Sequence, residues 1–283
     1  MPDQSTPIQV VTWNVARRSA SVLDTLARIA TPDLVTLQEV PLEQEHQRAF
    51  QECLVGMGLS CLHYSGRDDV PRKRYGNIIA SRWPLDPVEL RYSTEELPWP
   101  QLLAQASVSI NGRSIVVITA HIPNGSRNGW EKIDTFKALD KLVRQAKGRS
   151  CMVTGDFNEP QYTMQEGRVV TWGQEPDREG RFHCWDEWEF GGRTGKGRQW
   201  DDAVRWLFEN HDEHGLRIAY WEAHGHGTMD VSHVSGGQSR WFDHIFVSAD
   251  FRVDRCDYLH ELRGPGLSDH SALTARLVLA AQP

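Results

Sequence analysis

Eight polar side chains that can ligate a metal ion or transfer a proton lie at or next to predicted strands. They are Asn14, Glu39, His121, Asp156, Asn158, Asp243, Asp269 and His270. Most of their ligand atoms are neutral or acidic oxygens, and Mg²⁺ prefers carboxylate, amide and water oxygens. Zinc sites use thiolates or several histidines, which this set fits less well. The set therefore predicts a site for a hard divalent cation, Mg²⁺, with Mn²⁺ also compatible with these ligands.

The first two of these residues, Asn14 and Glu39, follow strands that are close in the chain. Ile8 to Trp13 is rich in β-branched residues and predicts one strand, and Leu34 to Leu37 predicts another. Apolar residues at helical spacing over positions 22–29 predict a helix between them. A strand, a helix and a strand within about 30 residues indicate a crossover with parallel strands. Asn14 and Glu39 are then placed to converge at one sheet edge.

The same arrangement recurs in the middle of the chain. Asn111-Gly112 tolerates the positive φ angles of a tight hairpin, and the second strand of that hairpin, Arg113 to Ala120, ends just before His121. Cys151 to Thr154 predicts a short buried strand that ends just before Asp156. A second pair of polar side chains is therefore expected at strand ends.

The last polar residues flank the strands that complete the chain. These predicted strands are Phe242 to Ser248, Phe251 to Tyr258 and Ser271 to Leu279. Asp243 opens the first of them, and Asp269 and His270 come directly before the last.

Composition indicates a soluble globular protein. The chain has 283 residues, a formal net charge of −7 and 39% hydrophobic residues, which argues against intrinsic disorder. The N-terminus does not have the pattern of a secretory signal, and no apolar run approaches the roughly 20 residues that a bilayer requires. Five cysteines without a C-x-x-C pair predict reduced thiols rather than a disulfide framework. We therefore expect a cytoplasmic protein without a membrane segment.

A segment at about residues 172–241 differs in composition from the rest. It holds seven of the 11 tryptophans and six of the 12 histidines. It is either a binding insert or a region of ordinary aromatic packing, and we treat it as a variable segment of a single domain, 1–283.

The sequence resembles the endonuclease/exonuclease/phosphatase superfamily, which includes exonuclease III, deoxyribonuclease I, neutral sphingomyelinases and deadenylases. Seven segments carry the resemblance in the order of that family, and they span nearly the whole chain. They are Thr12-Trp13-Asn14, Leu37-Gln38-Glu39, Gly76-Asn77-Ile78-Ile79-Ala80-Ser81-Arg82, Thr119-Ala120-His121, Gly155-Asp156-Phe157-Asn158, Phe242-Asp243-His244-Ile245-Phe246 and Ser268-Asp269-His270. The resemblance is strongest to bacterial-type exonuclease III-like nucleases. It implies a four-layered α/β sandwich in which two packed mixed β-sheets are flanked by helices.

The resemblance also implies roles for the metal ligands and the catalytic pair. Glu39 would be the principal Mg²⁺ ligand, with Asn14 and Asp269 contributing directly or through water. Asp243 would orient His270 and stabilise its charged form, as in other acid–base sites.

The remaining catalytic residues are assigned by the same resemblance. Asp156 and Asn158 would position the attacking water and the transition-state oxygens, and His121 would contact the scissile phosphate. Hydrolysis of a phosphodiester brings water to a group that is already negative, so a cation must offset the growing charge. Whether Asp156 or His270 removes the proton of the water is left open by the sequence.

The loop His121-Ile122-Pro123-Asn124-Gly125-Ser126-Arg127 is similar to one that approaches the DNA backbone in exonuclease III-type enzymes. Asn124 and Arg127 are therefore assigned to substrate binding, together with Asn77. Basic residues at Arg17, Arg18, Arg72-Lys73-Arg74 and Arg193–Arg198 are candidates for a rim that follows phosphates, or are solvated surface charges.

Two features argue against the simplest assignment of substrate. Exonuclease III-type enzymes usually carry Asn or Asp followed by Gly after the first motif, where this chain has Ala16-Arg17-Arg18, which weakens an abasic-site assignment. The net charge of −7 also disfavours non-specific binding to nucleic acid.

We interpret the chain as a monomeric, Mg²⁺-dependent phosphodiesterase. Its expected substrate is DNA, cleaved as an endonuclease or a 3′–5′ exonuclease, with RNA less favoured. The alternative is a phosphohydrolase of small-molecule or lipid phosphoesters, and a non-catalytic binding module is a third hypothesis.

Overall fold

The computed structural model describes residues 7–65, 74–164, 167–185 and 193–280. Its strands are β1 (Pro7–Asn14), β2 (Leu34–Pro41), β3 (Cys61–Tyr64), β4 (Tyr75–Ser81), β5 (Leu85–Val88), β6 (Leu103–Ile110), β7 (Arg113–His121), β8 (Cys151–Asp156), β9 (Tyr162–Thr163), β10 (Val169–Val170), β11 (Gln174–Pro176), β12 (Phe182–Cys184), β13 (Leu216–Ile218), β14 (His233–Ser235), β15 (Gln238–Arg240), β16 (Asp243–Ser248), β17 (Phe251–Leu259) and β18 (Ala272–Leu279).

Helices connect or cover these strands. They are α1 (Leu23–Ile29), α2 (Gln44–Gly56), α3 (Gly129–Ala146), α4 (Lys196–Glu209), α5 (His211–His214) and α6 (Ala219–His224), with 3₁₀ turns at Ala20–Val22, Pro100–Leu102 and His260–Leu262. Within the described ranges, no helix combines the length and the hydropathy that crossing a bilayer requires.

The first large sheet has the strand order β17-β18-β1-β2-β4-β3. Strands β1 and β2 pair in parallel, with Val10 opposite Leu34 and Asn14 opposite Gln38, and the other neighbours pair antiparallel. The predicted crossover is confirmed, and α1 lies within it.

The second large sheet has the order β13-β16-β8-β7-β6-β5. Its one parallel pair is β7 and β8, in which His121 lies opposite Asp156. The Asn111-Gly112 hairpin between β6 and β7 is confirmed, with φ angles of 50° and 80° at the two turn residues.

The two sheets pack face to face and are joined by buried polar as well as apolar contacts. Thr36 and Thr154 share a side-chain hydrogen bond of 2.8 Å between the sheets, and Gln38 Nε2 donates to Thr119 Oγ1 at 3.0 Å. Because every buried polar group needs a partner, these bonds fix how the sheets lie against each other near the ends of β2 and β7.

Helices form the outer layers of the sandwich. Apolar residues of α1 and α2, such as Leu26 and Phe50, join the core under the first sheet, and those of α3 and α4, such as Phe136 and Leu207, join the core of the second. The predicted four-layered α/β sandwich with two mixed sheets is confirmed.

Strand β2 departs from the prediction because it runs past Leu37 to Pro41. Its register with β4 shifts between Leu37, opposite Ile78, and Val40, opposite Gly76, so that two residues face the single Asn77. This is a β-bulge, and Glu39 within it has φ of 54°. The bulge redirects Glu39 at the sheet edge.

Most tryptophans of the variable segment are core residues, which agrees with ordinary packing. Trp200, Trp206, Trp221 and Trp241 are all buried. Trp172 and Trp185 are only partly buried, and Trp188 lies outside the described residues.

His214 lies near the end of α5 in the interior and gives the fold a specific pH dependence. Its Nδ1 accepts from the Leu216 N–H at 3.0 Å, so the ring is neutral in the folded state. Burial, followed by the charge of His211, lowers the pKa of His214 from 6.5 to about 4. Between these two pKa values, His214 binds a proton in the unfolded state but not in the folded state. The free energy of unfolding therefore falls as pH drops below about 6.5.

We expect the wild type to lose about 1–2 kcal/mol more stability between pH 7 and pH 5 than His214→Asn loses. Urea unfolding in EDTA at the two pH values measures both losses. His183→Asn removes a side chain that is 53% exposed and serves as the control. Equal pH dependence in wild type and His214→Asn would contradict the assignment.

Candidate active site

The site is built at one edge of the sandwich, where strands of both sheets end. Asn14 ends β1, His121 ends β7 and Asp156 ends β8. Gly155 allows β7 and β8 to approach each other closely at this edge, because a Cβ on residue 155 would lie 1.9 Å from the Ala120 carbonyl oxygen. Its φ of 137° is also one that other residues rarely adopt.

An amide bridges two carboxylates in the centre of the site. Asn14 Nδ2 donates to Asp156 Oδ2 at 2.9 Å and to Glu39 Oε1 at 3.4 Å. Asn14 Oδ1 accepts from the Ala16 N–H at 2.9 Å, which fixes the orientation of the amide. The structure therefore brings together residues from β1, β2 and β8, as the sequence predicts.

His121 lies against the same two carboxylates. Its Nε2 is 3.6 Å from Glu39 Oε1 and 3.8 Å from Asp156 Oδ2. The ring of Tyr75 lies 5.6 Å from the imidazole ring, centroid to centroid, and forms one wall of the site.

His270 and Asp243 form a buried pair next to Asp156. His270 Nδ1 lies 2.8 Å from Asp243 Oδ2, and Nε2 lies 3.7 Å from Asp156 Oδ2. Burial alone would lower the pKa of His270, but the charges of Asp243 and Asp156 raise it from 6.5 to about 10. The pair has the geometry that fixes an imidazole tautomer and stabilises its charged form.

Backbone and side-chain bonds from several elements hold this pair in place. Trp13 Nε1 donates to the His270 carbonyl at 3.0 Å, and the Tyr258 hydroxyl donates to the Asp243 carbonyl at 2.5 Å. Ser268 Oγ accepts from the His270 N–H at 3.0 Å and donates to the Asn14 carbonyl at 2.6 Å. The loop before β18 is thereby tied to the end of β1.

Asn158 completes the group around Asp156. Its backbone N–H donates to Asp156 Oδ1 at 2.9 Å, and its side-chain Nδ2 donates to the Ile122 carbonyl at 2.9 Å. Its φ is 50°, a conformation that costs energy for a residue other than glycine.

Asp269 is placed differently from the other predicted metal ligands. Its side chain is 49% exposed, and its Oδ2 lies 3.5 Å from His233 Nε2. The hydrogen bond from His233 lowers the pKa of Asp269 to about 2. Asp269, His233 and His270 thus form a second group of possible ligand atoms within 4.8 Å of one another.

His233 is a site residue that sequence reasoning missed. It lies in the variable segment on β14, with its ring 4.4 Å from that of His270 and stacked 5.5 Å from Phe242. The Val234 N–H donates to the Asp269 carbonyl at 3.1 Å, which docks the β14–β15 hairpin on the site. Only the Gly236-Gly237 turn signalled a hairpin, and nothing in the sequence indicated its destination.

Arg17 belongs to the Ala16-Arg17-Arg18 segment, in which the sequence differs from exonuclease III-type enzymes. Its Nε lies 3.0 Å from Glu39 Oε2, and its guanidinium lies 5.6 Å from the Tyr75 ring centroid. Ala16 and Arg17 both have positive φ, 49° and 58°. This unusual turn brings a fixed positive charge to Glu39.

The predicted substrate-binding residues divide into two groups. Asn124 and Arg127 are exposed on the loop after β7. Asn77 is 1% exposed, and its Nδ2 donates to the Leu102 carbonyl at 2.7 Å, while its Oδ1 is buried without a hydrogen-bond partner among the described residues. Its assignment to substrate binding stays a prediction.

Those residues of the predicted basic rim that the structure describes differ in their surroundings. Arg193 makes a two-pronged pair with Asp134 at 2.7 and 2.8 Å and covers the Trp130 ring at 3.8 Å, so it is engaged locally. Arg74 is exposed, and Arg72 and Lys73 lie outside the described residues.

The donor set fits a hard divalent cation. Glu39 and Asp156 offer carboxylate oxygens, and Oδ1 of Asp243 is buried without a hydrogen-bond partner among the described residues, whereas the Asn14 amide oxygen accepts from the Ala16 N–H. Oxygen donors of this kind suit Mg²⁺ or Mn²⁺, and no described cysteine belongs to the cluster.

Comparisons with known proteins agree with this geometry. A model of the endonuclease/exonuclease/phosphatase family matches residues 11–270. Searching curated proteins gives no match.

Solved structures share the fold at low sequence identity. A 3′ phosphatase, NExo, from Neisseria bound to a product DNA hairpin is 22% identical, with 95% of this chain and 98% of that chain covered and a TM-score of 0.63. D. rerio TDP2 complexed with single-strand DNA product is 14% identical, with 96% and 99% covered and a TM-score of 0.63. An AP endonuclease from Archaeoglobus fulgidus is 18% identical, with 95% and 98% covered and a TM-score of 0.62.

Proposed function

The chain belongs to the endonuclease/exonuclease/phosphatase family, whose members hydrolyse phosphoester bonds with divalent metals, and on this premise we propose that it is a Mg²⁺-dependent phosphodiesterase acting on DNA. One observation carries the proposal: Asn14 ties Asp156 to Glu39 in the same buried group that holds the His270–Asp243 pair. A cation ligand, a proton acceptor and an oriented imidazole are thereby held side by side.

Each residue of the site has its own proposed role in hydrolysis. Glu39 would be the principal ligand of Mg²⁺, with Asn14 and Asp269 contributing directly or through water, and the bound ion would offset the negative charge that grows on the phosphate oxygens. Asp156 Oδ2 and His270 Nε2 lie 3.7 Å apart, and because the raised pKa of His270 keeps its imidazole protonated, Asp156 is the group placed to accept the proton of an attacking water. Asp243 keeps His270 in one tautomer, so that Nε2 faces the reacting atoms.

DNA is favoured as the substrate by two observations. The structures with the same fold include ones solved with a DNA hairpin and with single-strand DNA product. The loop that carries Asn124 and Arg127 is exposed at the same edge as the catalytic group. A cytoplasmic monomer is part of the proposal, and size-exclusion chromatography tests the oligomeric state.

The test incubates the purified protein with plasmid, single-stranded DNA, abasic-site duplex, RNA and sphingomyelin. We expect DNA to be cleaved with Mg²⁺, cleavage to stop in EDTA, and activity to return when Mg²⁺ is added. Hydrolysis of sphingomyelin with none of DNA would contradict the proposal and favour the alternative.

Glu39→Gln should raise the Mg²⁺ concentration for half-maximal activity by at least about tenfold, because it removes a negative ligand. Titration of the rate with Mg²⁺ measures this, and thermal stabilisation by Mg²⁺ gives a readout that does not depend on activity. Glu45→Gln removes an exposed carboxylate from α2 and is the control. An unchanged Mg²⁺ requirement would exclude Glu39 as a ligand.

A further inference from the structure

A cavity of about 460 Å³ opens directly beside the catalytic group. Asn158 and His233 line the side nearest the active site, and the His233 ring lies 4.4 Å from that of His270. A molecule in this cavity therefore sits next to the position where a phosphate would react. The volume falls within the range of roughly 300–1,000 Å³ that small-molecule sites have.

Three tryptophans of the variable segment form the walls of the cavity: Trp172, Trp185 and Trp200. Trp185 Nε1 donates to the Trp172 carbonyl at 2.7 Å, and Trp200 Nε1 donates to Glu159 Oε1 at 2.6 Å. Because these two indole N–H groups already have partners, the rings offer carbon surface rather than hydrogen bonds. Trp185 and Trp200 meet edge to face at 76°, which holds both planes in fixed orientations.

The tryptophans differ in how accessible they are. Trp200 is buried, and the backbone at Gly125 lies against it so closely that a Cβ there would be 1.8 Å from the ring. Trp172 and Trp185 are partly exposed, so they are the two walls that a bound molecule can contact.

The rim of the cavity is polar and positively charged. Arg240 lies 5.1 Å from the Trp172 ring centroid, and Ser126, Ser235 and Gln238 surround the opening. Stacking surface inside and a guanidinium at the rim suit a planar, aromatic group that carries a phosphate.

Other occupants fit this lining less well. Among the described residues that line the cavity, none has an aliphatic side chain, whereas a lipid chain requires a long apolar surface. A sugar without a base contacts indole rings only through its C–H groups and has no planar surface to cover them. The lining therefore favours a nucleobase.

We propose that this cavity binds the unpaired nucleobase of the nucleotide whose phosphate is cleaved. The inference rests on the proposed function and deepens it, because it names unpaired, base-bearing nucleotides as the substrate class. A base paired inside a duplex cannot enter the cavity, so the nucleotide must be single-stranded, at a frayed end or flipped out.

Binding is tested without hydrolysis, by calorimetry in EDTA with the dinucleotide d(ApA) and with an analogue in which tetrahydrofuran replaces one base. Trp185→Ala should weaken binding of d(ApA) by about tenfold or more, because stacking on an aromatic side chain is lost. Trp185→Phe should retain part of the affinity, and binding of the analogue should already be weak. Trp83→Ala removes a tryptophan that does not line the cavity and should bind like wild type.

Cleavage gives the second readout. Duplex DNA with one unpaired nucleotide should be cleaved faster than fully paired duplex, and Trp185→Ala should reduce that preference. Unchanged d(ApA) binding in both Trp185→Ala and Trp172→Ala, or equal binding of d(ApA) and the analogue, would overturn the inference. Intact d(ApA) binding without cleavage of any DNA would instead contradict the proposed function, so the two failures are distinguishable.

Discussion

Replacing His270 with alanine should lower kcat on DNA by about three orders of magnitude. The imidazole faces Asp156 at 3.7 Å and is held by Asp243 at 2.8 Å, so its loss removes the group that exchanges or shares a proton with the reacting atoms. Positioned general acids and bases contribute about 10²–10⁴-fold to rate. Initial rates at saturating DNA and Mg²⁺ measure the effect.

Two variants distinguish this role from a structural one. Asp243→Asn keeps a side chain of the same shape but removes the charge that stabilises the imidazolium, and it should lower kcat with little change in KM. His260→Ala, on a half-exposed histidine paired with Asp230, should leave kcat unchanged. Circular dichroism checks that the variants are folded. Near-normal turnover of folded His270→Ala would remove this residue from the mechanism.

The strand-end positions could be predicted because they depend on local patterns. β-Branched runs fixed the positions of β1, β7 and β8, and the polar residue after each run necessarily lies at a strand end. The parallel pairing of β1 with β2 followed from the helix between them. These rules place Asn14, His121 and Asp156 at strand ends, whereas only the resemblance to the family implied that the strand ends of both sheets meet at one edge.

Backbone conformations of the site could not be predicted in the same way. Glu39, Asn158 and Arg17 all have positive φ, and no turn pattern in the sequence signals it at these three positions. Such conformations persist only where surrounding structure enforces them, as the β2 bulge does for Glu39. The conformational energy of these positive φ angles is therefore spent at the residues whose side chains must point into the candidate site.

Contacts between segments that are distant in the chain also could not be predicted from the sequence. His233 reaches the site only because the β14–β15 hairpin docks on the loop at Asp269, and no local pattern encodes that docking. The tryptophan-rich segment is open to two interpretations from sequence: Trp200 and Trp206 are buried, which agrees with ordinary packing, whereas Trp172 and Trp185 line the cavity for which binding is proposed.

A buried ion pair behind the site was also missed, because Lys132 and Glu159 are ordinary surface residue types in sequence. Lys132 is 1% exposed and Glu159 is fully buried, and Nζ lies 2.9 Å from Oε1. Nζ also donates to the Asn158 carbonyl at 2.8 Å, so the pair supports a residue that is predicted to be catalytic. Burial lowers the pKa of Lys132 and raises that of Glu159, while their mutual attraction opposes both shifts.

Lys132→Met should therefore destabilise the protein by about 3–5 kcal/mol, because it leaves the Glu159 carboxylate buried without its cationic partner. The double variant Lys132→Met/Glu159→Gln should recover much of that loss, since a neutral amide costs less to bury than an unpaired charge. Urea unfolding in EDTA at neutral pH measures all three proteins.

The matched control lies on the same helix. Lys141 pairs with Glu96 at 3.3 Å, but both side chains are about half exposed, so Lys141→Met should change stability by less than about 1 kcal/mol. The comparison isolates the effect of burial on the free energy of unfolding, because both variants replace a lysine of α3 with methionine. If Lys132→Met costs no more stability than Lys141→Met, the buried ion pair contributes no more to the free energy of unfolding than the exposed one, and the prediction is wrong.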